Sequence, residues 1–290
     1  MATLHHFRNS GLTFAVDDSG GDGDVVILLH GFPQTRRSWH LITPSLAELG
    51  YRVLAPDQRG YSTGARPTRR REYTLDRLSG DIVALADAAE AERFHVVGHD
   101  WGGAVAWELA ERHGDRLASV TSLSTPHPQA MARAMVTSTQ ALHSWYMAVL
   151  QLPVLPEAFL SSRVGGERLH RSLVESGLSP EQATLSVKLL ASGGARGGVN
   201  WYRALPLSAP RRPAPITVGA LYVYGAADFA LGRTAADLTE RYVAGPYTYE
   251  VLEGVGHWIP DEAPEAVVEL LTEHFAQHPV RGSLNLEAGG

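Results

Sequence analysis

The sequence predicts an α/β protein whose mainly parallel sheet is covered by helices on both faces. Short β-branched, apolar runs alternate with longer stretches of helical periodicity, which is typical of this fold class. A long helical segment then interrupts the alternation in the second half of the chain. With 290 residues, the chain is long enough to form one large core with an insertion.

The clearest strands are predicted where β-branched and apolar residues cluster. They span residues 25–29, 51–55, 94–97, 119–124, 221–224 and 247–252. Between the second and third strands, residues 74–89 carry apolar side chains at helical spacing, and Thr74 is a candidate N-cap. This stretch is therefore predicted to be an amphipathic surface helix.

The interruption begins near residue 126 and includes the helical sequences MARAMVTSTQALHSWYMAVLQ and SPEQATLSVKLLAS. It ends in a proline-rich stretch, residues 206–215, whose prolines favour extended backbone. We interpret residues 127–211 as a helical cap inserted into a core that comprises residues 1–126 and 212–290. The final RGSLNLEAGG is expected to be a loose tail.

The composition restricts the classes of function. The formal net charge is −6, and the one basic run, residues 69–71, is followed directly by Glu72, so no nucleic-acid surface is expected. Cysteine is absent, which excludes thiolate metal sites, and we expect neither a metal nor a cofactor. The longest aliphatic block near the N-terminus, residues 25–29, is far shorter than the roughly 18 residues of a membrane span. A cytoplasmic protein without a membrane partner is therefore expected. The sequence leaves the oligomeric state open, and a homodimer is compatible with it.

The stretch GHDWGG, residues 98–103, lies between a predicted strand and a predicted helix. Gly98 and Gly102 each stand two positions from Asp100, which is the spacing of small residues around the nucleophile of a sharp strand-to-helix turn. Such a turn commonly presents a serine, and here it presents an aspartate. The alternative is that Asp100 only caps the helix.

Three more stretches follow predicted strands, so that nucleophile, acid and histidine occur in the expected chain order. In LLHGFP, the backbone N–H of Phe32 would join that of Trp101 in stabilising a developing oxyanion. Asp228 in YGAADF and His257 in GVGHW follow later strands. The LLHGFP stretch alone could equally be a plain loop, and Asp228 or His257 alone would more often be structural. Together with Asp100 they predict an active site.

HGFP, DQRGYSTG, GHDWGG, the Asp228 stretch and GHW together resemble the α/β-hydrolase superfamily. The aspartate followed by tryptophan resembles its epoxide hydrolase family, and the resemblance covers about residues 10–278. HSWYMAVLQ and NWYR resemble the two cap segments that carry epoxide-binding tyrosines in that family, which implies this role for Tyr146 and Tyr202. The first segment departs from the family at Leu150, where an aromatic residue is common. Three tryptophans are expected either to line the pocket or simply to pack: Trp145, Trp201 and Trp258.

The resemblance implies a reaction in two steps. A carboxylate can displace a leaving group at an sp³ carbon, so Asp100 would open an epoxide and form a covalent ester. His257, oriented by Asp228, would then activate the water that hydrolyses this ester to a vicinal diol. The partners would be a small epoxide and water.

The nearest alternative is a haloalkane or haloacetate dehalogenase with the same Asp, His and Asp chemistry. Haloalkane dehalogenases usually have Asn where this chain has Phe32, and the fluoroacetate type has Arg where this chain has Trp101, so both positions favour epoxide opening. A ligand-binding or regulatory protein without turnover is a third interpretation. Serine esterase chemistry is disfavoured by Asp100 itself.

Overall fold

The computed structural model describes residues 3–208 and 214–280. Within them, eight strands form one sheet in the order β1-β2-β4-β3-β5-β6-β7-β8. The strands are β1 (His6–Asn9), β2 (Leu12–Asp18), β3 (Val25–Leu29), β4 (Arg52–Pro56), β5 (Phe94–His99), β6 (Leu117–Leu123), β7 (Gly219–Gly225) and β8 (Tyr247–Leu252). The β1/β2 and β2/β4 pairs are antiparallel, and every other pair is parallel. The predicted fold class is confirmed.

Thirteen α-helices are described, and some of them cover the two faces of this sheet. They are α1 (Thr43–Glu48), α2 (Leu75–Ala88), α3 (Trp101–Arg112), α4 (Pro128–Thr137), α5 (Gln140–His143), α6 (Trp145–Leu150), α7 (Leu155–Ser161), α8 (Arg163–Glu175), α9 (Pro180–Leu189), α10 (Ala195–Ala204), α11 (Arg233–Leu238), α12 (Ile259–Glu262) and α13 (Pro264–Gln277). Because successive side chains of a strand point to opposite faces, Ile27 of β3 packs with α2 and α3, whereas Val26 packs with α1 and α13.

The predicted strands all form, and their ends differ from the prediction by at most two residues. The structure adds β1 and β2, a hairpin closed by Ser10 and Gly11 with positive φ angles of 49° and 77°. The mixed polar sequence of β1 gives no apolar run, which is why composition alone does not indicate a strand there. Helix α2 follows Thr74 as predicted, although the Thr74 side chain makes no capping hydrogen bond.

Helices α4–α10 lie between β6 and β7 in the chain and pack over the end of the sheet that carries the predicted motifs. The indole N–H of Trp201 in α10 donates to the carbonyl of Arg59, 2.8 Å away. Gly197 of α10 packs directly on the backbone of Gly60, where a Cβ would overlap it. Of the predicted proline-rich stretch 206–215, residues 209–213 lie outside the described residues, as do the 211/212 boundary and the tail at 281–290. The extended backbone predicted from residue 206 is wrong at its start, because Leu205–Leu207 form a short 3-10 helix that continues from α10.

No helix of residues 3–208 and 214–280 is both long and apolar enough to cross a membrane.

Three buried histidines make the fold sensitive to acid. Burial lowers the pKa of His95 to about 3 and the pKa values of His99 and His274 to about 4. In an unfolded chain a histidine titrates near pH 6.5. Below that pH the unfolded chain binds protons that the folded chain does not, so the free energy of unfolding falls as the pH drops. Between pH 7 and pH 4 the fall is about 3 kcal/mol for each of His99 and His274.

We therefore expect a lower urea midpoint at pH 5 than at pH 7 when unfolding is followed by tryptophan fluorescence. His274→Gln should reduce this difference, whereas His6→Gln, which removes an exposed histidine, should leave it unchanged. Equal wild-type midpoints at the two pH values would contradict the prediction.

Candidate active site

Asp100 lies at the tip of the turn between β5 and α3, with φ 51° and ψ −122°. Its side chain makes no capping hydrogen bond to α3, so the structure does not support the helix-cap alternative. A Cβ at Gly98 would overlap the backbone of Gly102, and a Cβ at Gly102 would overlap the carbonyl of Leu29. The turn is thus closed so tightly that both flanking positions require glycine.

The carboxylate of Asp100 rests on backbone donors. The N–H of Phe32 donates to Asp100 Oδ1 at 2.7 Å, and the nearby backbone N–H of Trp101 also favours the charged carboxylate. Burial favours the protonated acid, but His257 and the Trp101 N–H outweigh it, so the pKa of Asp100 is lowered. Asp100 is therefore a carboxylate at neutral pH, with one oxygen already in the predicted oxyanion hole.

His257 lies between two carboxylates. Its Nδ1–H donates to Asp228 Oδ2 at 2.9 Å, and its Nε2 lies 3.6 Å from Asp100 Oδ2. The second distance is longer than a direct hydrogen bond but short enough for a strong charge interaction. The other oxygen of Asp228 accepts the backbone N–H groups of Ala230 at 2.7 Å and Leu231 at 3.0 Å. The structure thus brings the predicted nucleophile, histidine and acid together.

The two carboxylates determine the charge of the histidine. Burial lowers the pKa of His257, but Asp228 and Asp100 more than offset this effect and raise the pKa to about 10. At neutral pH the ring is therefore an imidazolium as long as both carboxylates are ionised.

His99 is a residue that the sequence reasoning missed. It is fully buried, and its Nε2 and the hydroxyl of Ser124 each lie 2.8 Å from the carbonyl oxygen of His257. Burial lowers the pKa of His99 to about 4, so at neutral pH the uncharged ring donates its Nε2–H to this carbonyl. The backbone of His257 is thus held by two donors. The position of His99 at the end of β5, directly before Asp100, is the signal that could have indicated it.

A cavity of about 310 Å³ opens onto Asp100. Among the described residues that line this cavity, only Asp100 is charged. The other polar residues that line it are Thr125, Tyr146 and Tyr202. The remaining lining is apolar: Leu75, Trp101, Ala104, Pro126, Pro128, Met131, Ala132, Met135, Met147, Leu205 and Leu231. A larger open groove of about 860 Å³ lies among α7–α9, but none of the predicted site residues lines it.

The two predicted tyrosines lie at this cavity. Tyr202 in α10 packs edge to face against Trp101, with ring centroids 4.9 Å apart, and against Phe32 at 5.5 Å. Tyr146 in α6 meets Tyr202 with centroids 6.0 Å apart. Burial raises the pKa of both tyrosines, and the negative charge of Asp100 raises both further. Both hydroxyls therefore stay protonated at neutral pH and can donate hydrogen bonds.

Trp145, Trp201 and Trp258 are not in the described lining of this cavity. Trp145 is 67% exposed and points away from the interior. Trp201 and Trp258 are buried, and their indole N–H groups donate to the Arg59 carbonyl and to Ser176 Oγ. The structure thus favours the packing alternative for these two residues, while Trp101 is the tryptophan that reaches the cavity.

Thr125 was also missed. It lines the cavity, and its hydroxyl donates to the backbone carbonyl of Asp100 at 2.6 Å. It stands two residues after the end of β6, and the rule that polar residues after parallel strands form sites would have found it.

The chain is similar to known proteins over most of its length. The α/β-hydrolase fold family matches residues 24–264. Epoxide hydrolase A of Mycobacterium tuberculosis is 34% identical over 308 aligned positions, which cover 91% of this chain and 94% of the relative. This chain belongs to the epoxide hydrolase family of α/β hydrolases. The family resemblance predicted from the motifs is confirmed.

Two further comparisons support the family assignment. AB hydrolase superfamily protein YfhM of Bacillus subtilis is 35% identical, over 92% of this chain and 96% of that protein. The crystal structure of epoxide hydrolase A from Mycobacterium thermoresistibile has a TM-score of 0.79 at 28% identity, and covers 93% of this chain and 97% of that chain. The likeness to epoxide hydrolases thus extends over both the sheet and the helical segment between β6 and β7.

Among the described residues of this epoxide hydrolase family member, no group of three or more His, Asp or Glu side chains is arranged to hold a metal ion.

Gly31 keeps space open for the Asp100 carboxylate. A Cβ at Gly31 would overlap the Asp100 side chain, whereas a Cβ at Gly80 in α2 would meet no atom within 4 Å. We therefore expect Gly31→Ala to displace the carboxylate and lower kcat/KM for an epoxide about 100-fold. Gly80→Ala is the matched control, with unchanged activity and stability raised by up to about 1 kcal/mol. Full activity of Gly31→Ala would show that the carboxylate is not confined there.

Proposed function

We propose that this protein is an epoxide hydrolase that converts an epoxide to a vicinal diol through an ester on Asp100. The observation that carries the proposal is the pair of tyrosines, Tyr146 and Tyr202, which share a largely apolar cavity with an ionised aspartate. A halide leaves as an anion and needs no proton donor, whereas the alkoxide from an opened epoxide does. Two hydroxyl donors beside a carboxylate therefore favour epoxide opening over dehalogenation.

In the first step, Asp100 Oδ2 attacks an epoxide carbon and the carbon–oxygen bond of the ring breaks. Asp100 Oδ1 is held by the Phe32 N–H, which leaves Oδ2 free for the attack. The tyrosine hydroxyls donate to the departing oxygen, and one of them transfers its proton to the alkoxide, which is the stronger base. The products of this step are a neutral ester, an alcohol and a tyrosinate.

Ester formation changes the charge around His257. The imidazolium owes its raised pKa to Asp228 and Asp100 together, and the ester removes the charge of Asp100. The pKa of His257 then falls, and the imidazolium loses a proton. The tyrosinate gains one, so that the ring and the tyrosine both become neutral. His257 thus becomes a base at the stage when a base is required.

In the second step, neutral His257 takes a proton from water, and the resulting hydroxide attacks the carbonyl carbon of the ester. Negative charge develops on Asp100 Oδ1, where the backbone N–H groups of Phe32 and Trp101 stabilise it. Collapse of the tetrahedral intermediate releases the diol and restores both the Asp100 carboxylate and the imidazolium. The net reaction consumes one epoxide and one water.

The cavity supports a neutral, largely apolar epoxide as the substrate class. Its volume of about 310 Å³ lies at the lower end of the range of about 300–1,000 Å³ that is usual for small-molecule pockets. A carboxylate or phosphate on the substrate would meet apolar side chains and the negative charge of Asp100, with no cation in the described lining to offset the cost. The methionines of this wall, Met131, Met135 and Met147, can adjust to different shapes.

We also propose that residues 127–211 form a cap on a core made of residues 1–126 and 212–290. Helices α6 and α10 supply Tyr146 and Tyr202, whereas the core supplies Asp100, Asp228 and His257. Substrate would therefore bind between the two parts.

The experiment that tests the proposal is one assay with matched panels of neutral epoxides and haloalkanes, in which diol and halide release are both measured. Diol formation with negligible halide release is expected. Halide release with no diol would instead assign the site to a dehalogenase, and turnover of neither panel would favour a non-catalytic protein.

Tyr202→Phe is expected to slow ring opening by about 100-fold and ester hydrolysis much less, because the hydroxyl serves only the departing oxygen. Single-turnover mixing with chemical quench separates the two rates. Tyr249→Phe is the matched control, since its hydroxyl bonds Asp237 at the surface. Equal slowing of both steps by Tyr202→Phe would argue against a role in holding the epoxide oxygen.

A further inference from the structure

The loop that carries the acid, residues 228–232 (the acid loop), is hydrogen-bonded on two sides. On one side, the N–H groups of Ala230 and Leu231 donate to Asp228 Oδ1. On the other, the carbonyl of Ala230 accepts from Gln140 Nε2 at 2.8 Å, and the N–H of Gly232 donates to Gln140 Oε1 at 2.7 Å. The backbone of residues 230–232 therefore lies between the carboxylate of Asp228 and the side-chain amide of Gln140.

Gln140 is the first residue of α5 and is only 1% exposed. Its Nε2 also donates to Ser144 Oγ at 3.1 Å, next to the start of α6, the helix that carries Tyr146. A primary amide offers a donor and an acceptor in one plane, so it can bond a peptide backbone as a neighbouring strand does. Because the site is buried, water cannot replace these bonds if they are lost.

We propose that Gln140 is a positioning residue that fixes the acid loop, and with it the Asp228 carboxylate against His257, while it anchors the helical segment that carries Tyr146. The catalytic consequence of this role rests on the proposed function. Gln140 would hold in place both Tyr146, which donates a hydrogen bond in the first step, and Asp228, which orients His257 in the second. A change at Gln140 would then disturb the alignment of Asp228 without touching substrate.

Gln182 offers a matched control. It is also a buried glutamine of the segment between β6 and β7, 3% exposed. Its Nε2 donates to the Arg37 carbonyl at 3.0 Å and lies 3.1 Å from His40 Nδ1, so it too joins this segment to the core backbone. None of these contacts involves the acid loop. A general loss of anchoring would affect both variants, whereas loss of acid positioning would affect only the variant at Gln140.

The direct test is titration of His257 by NMR of its ring nitrogens in the wild type, Gln140→Met and Gln182→Met. Methionine keeps the side-chain volume but loses the hydrogen bonds of the amide group. The ionisable groups that face His257 are Asp228, Asp100 and His99. In Gln140→Met, a looser Asp228 should lower the pKa of His257 by about one pH unit. The pKa in Gln182→Met should equal that of the wild type.

An unchanged His257 titration in Gln140→Met, or an equal shift in both variants, would overturn the positioning role. Thermal unfolding checks that each variant folds. If Gln140→Met does not fold, Gln140→Asn, whose amide is one methylene too short, is titrated instead and should show the same direction.

A kinetic measurement links this inference to the reaction. Hydrolysis of the preformed Asp100 ester should slow about tenfold in Gln140→Met and should not slow in Gln182→Met. If the wild type forms no ester with any epoxide, the proposed function fails, but the His257 titration still decides the role of Gln140. If the ester forms and its hydrolysis is equally fast in all three proteins, the positioning role fails while the proposed function stands.

Discussion

Replacing Asp100 by asparagine is expected to reduce diol formation by at least about 10⁴-fold without unfolding the protein. Asparagine has nearly the same shape, tolerates the positive φ of this turn, and its carbonyl oxygen can still accept the N–H of Phe32. The neutral amide cannot displace the ring oxygen and leave an ester. Diol is measured by chromatography, and folding by circular dichroism and thermal unfolding.

The control for this variant is its intact mass, because deamidation of the introduced asparagine would restore the aspartate and add about one mass unit to the protein. Asp237→Asn, which removes an exposed carboxylate, should retain wild-type turnover. Undiminished turnover by Asp100→Asn protein whose mass shows that the amide is intact would eliminate the proposed nucleophile.

Replacing His257 by glutamine is expected to stop the reaction after its first step. Without the imidazolium the pKa of Asp100 rises, because burial is then opposed mainly by the backbone N–H groups of Phe32 and Trp101. The carboxylate that these donors still stabilise can attack the epoxide. Glutamine cannot take a proton from water, so hydrolysis of the ester should slow by at least about 10³-fold. Mass spectrometry should then show one added epoxide per protein, on the peptide that contains Asp100.

The double variant Asp100→Asn/His257→Gln tests whether the adduct forms on the carboxylate of Asp100. It should gain no mass under the same conditions. Continued multiple turnover by His257→Gln, with no accumulated adduct, would mean that another group activates the water.

The residues that bind the reacting atoms could be predicted because they follow strands of a parallel sheet. Asp100, Asp228 and His257 are far apart in sequence, but each lies within five residues after the end of a strand. The carboxyl ends of parallel strands meet at one edge of the sheet. The two glycines beside Asp100 added a geometric constraint that few other residues satisfy. The fold class and these positions were therefore accessible from local patterns alone.

The surroundings of the site could not be predicted in the same way. Trp145 and Tyr146 are neighbours in the sequence, yet one faces solvent and the other lines the cavity. Their directions depend on how α6 is rotated against the core, which is set by tertiary packing. Gln140 likewise carries no local signal for its role, because its partners in the acid loop lie 90 and 92 positions away.

The order of the catalytic residues along the chain has a consequence for incompletely folded molecules. The hydrogen bond from His99 to the carbonyl of His257 joins residues 158 positions apart, so the histidine arrives only when β7 and β8 have docked. In a molecule whose β5–α3 turn has formed before those strands dock, Asp100 could be alkylated, but His257 would not be in place to hydrolyse the ester. On the proposed mechanism, substrate acts on such a molecule as a suicide reagent, and only fully assembled protein survives exposure to it.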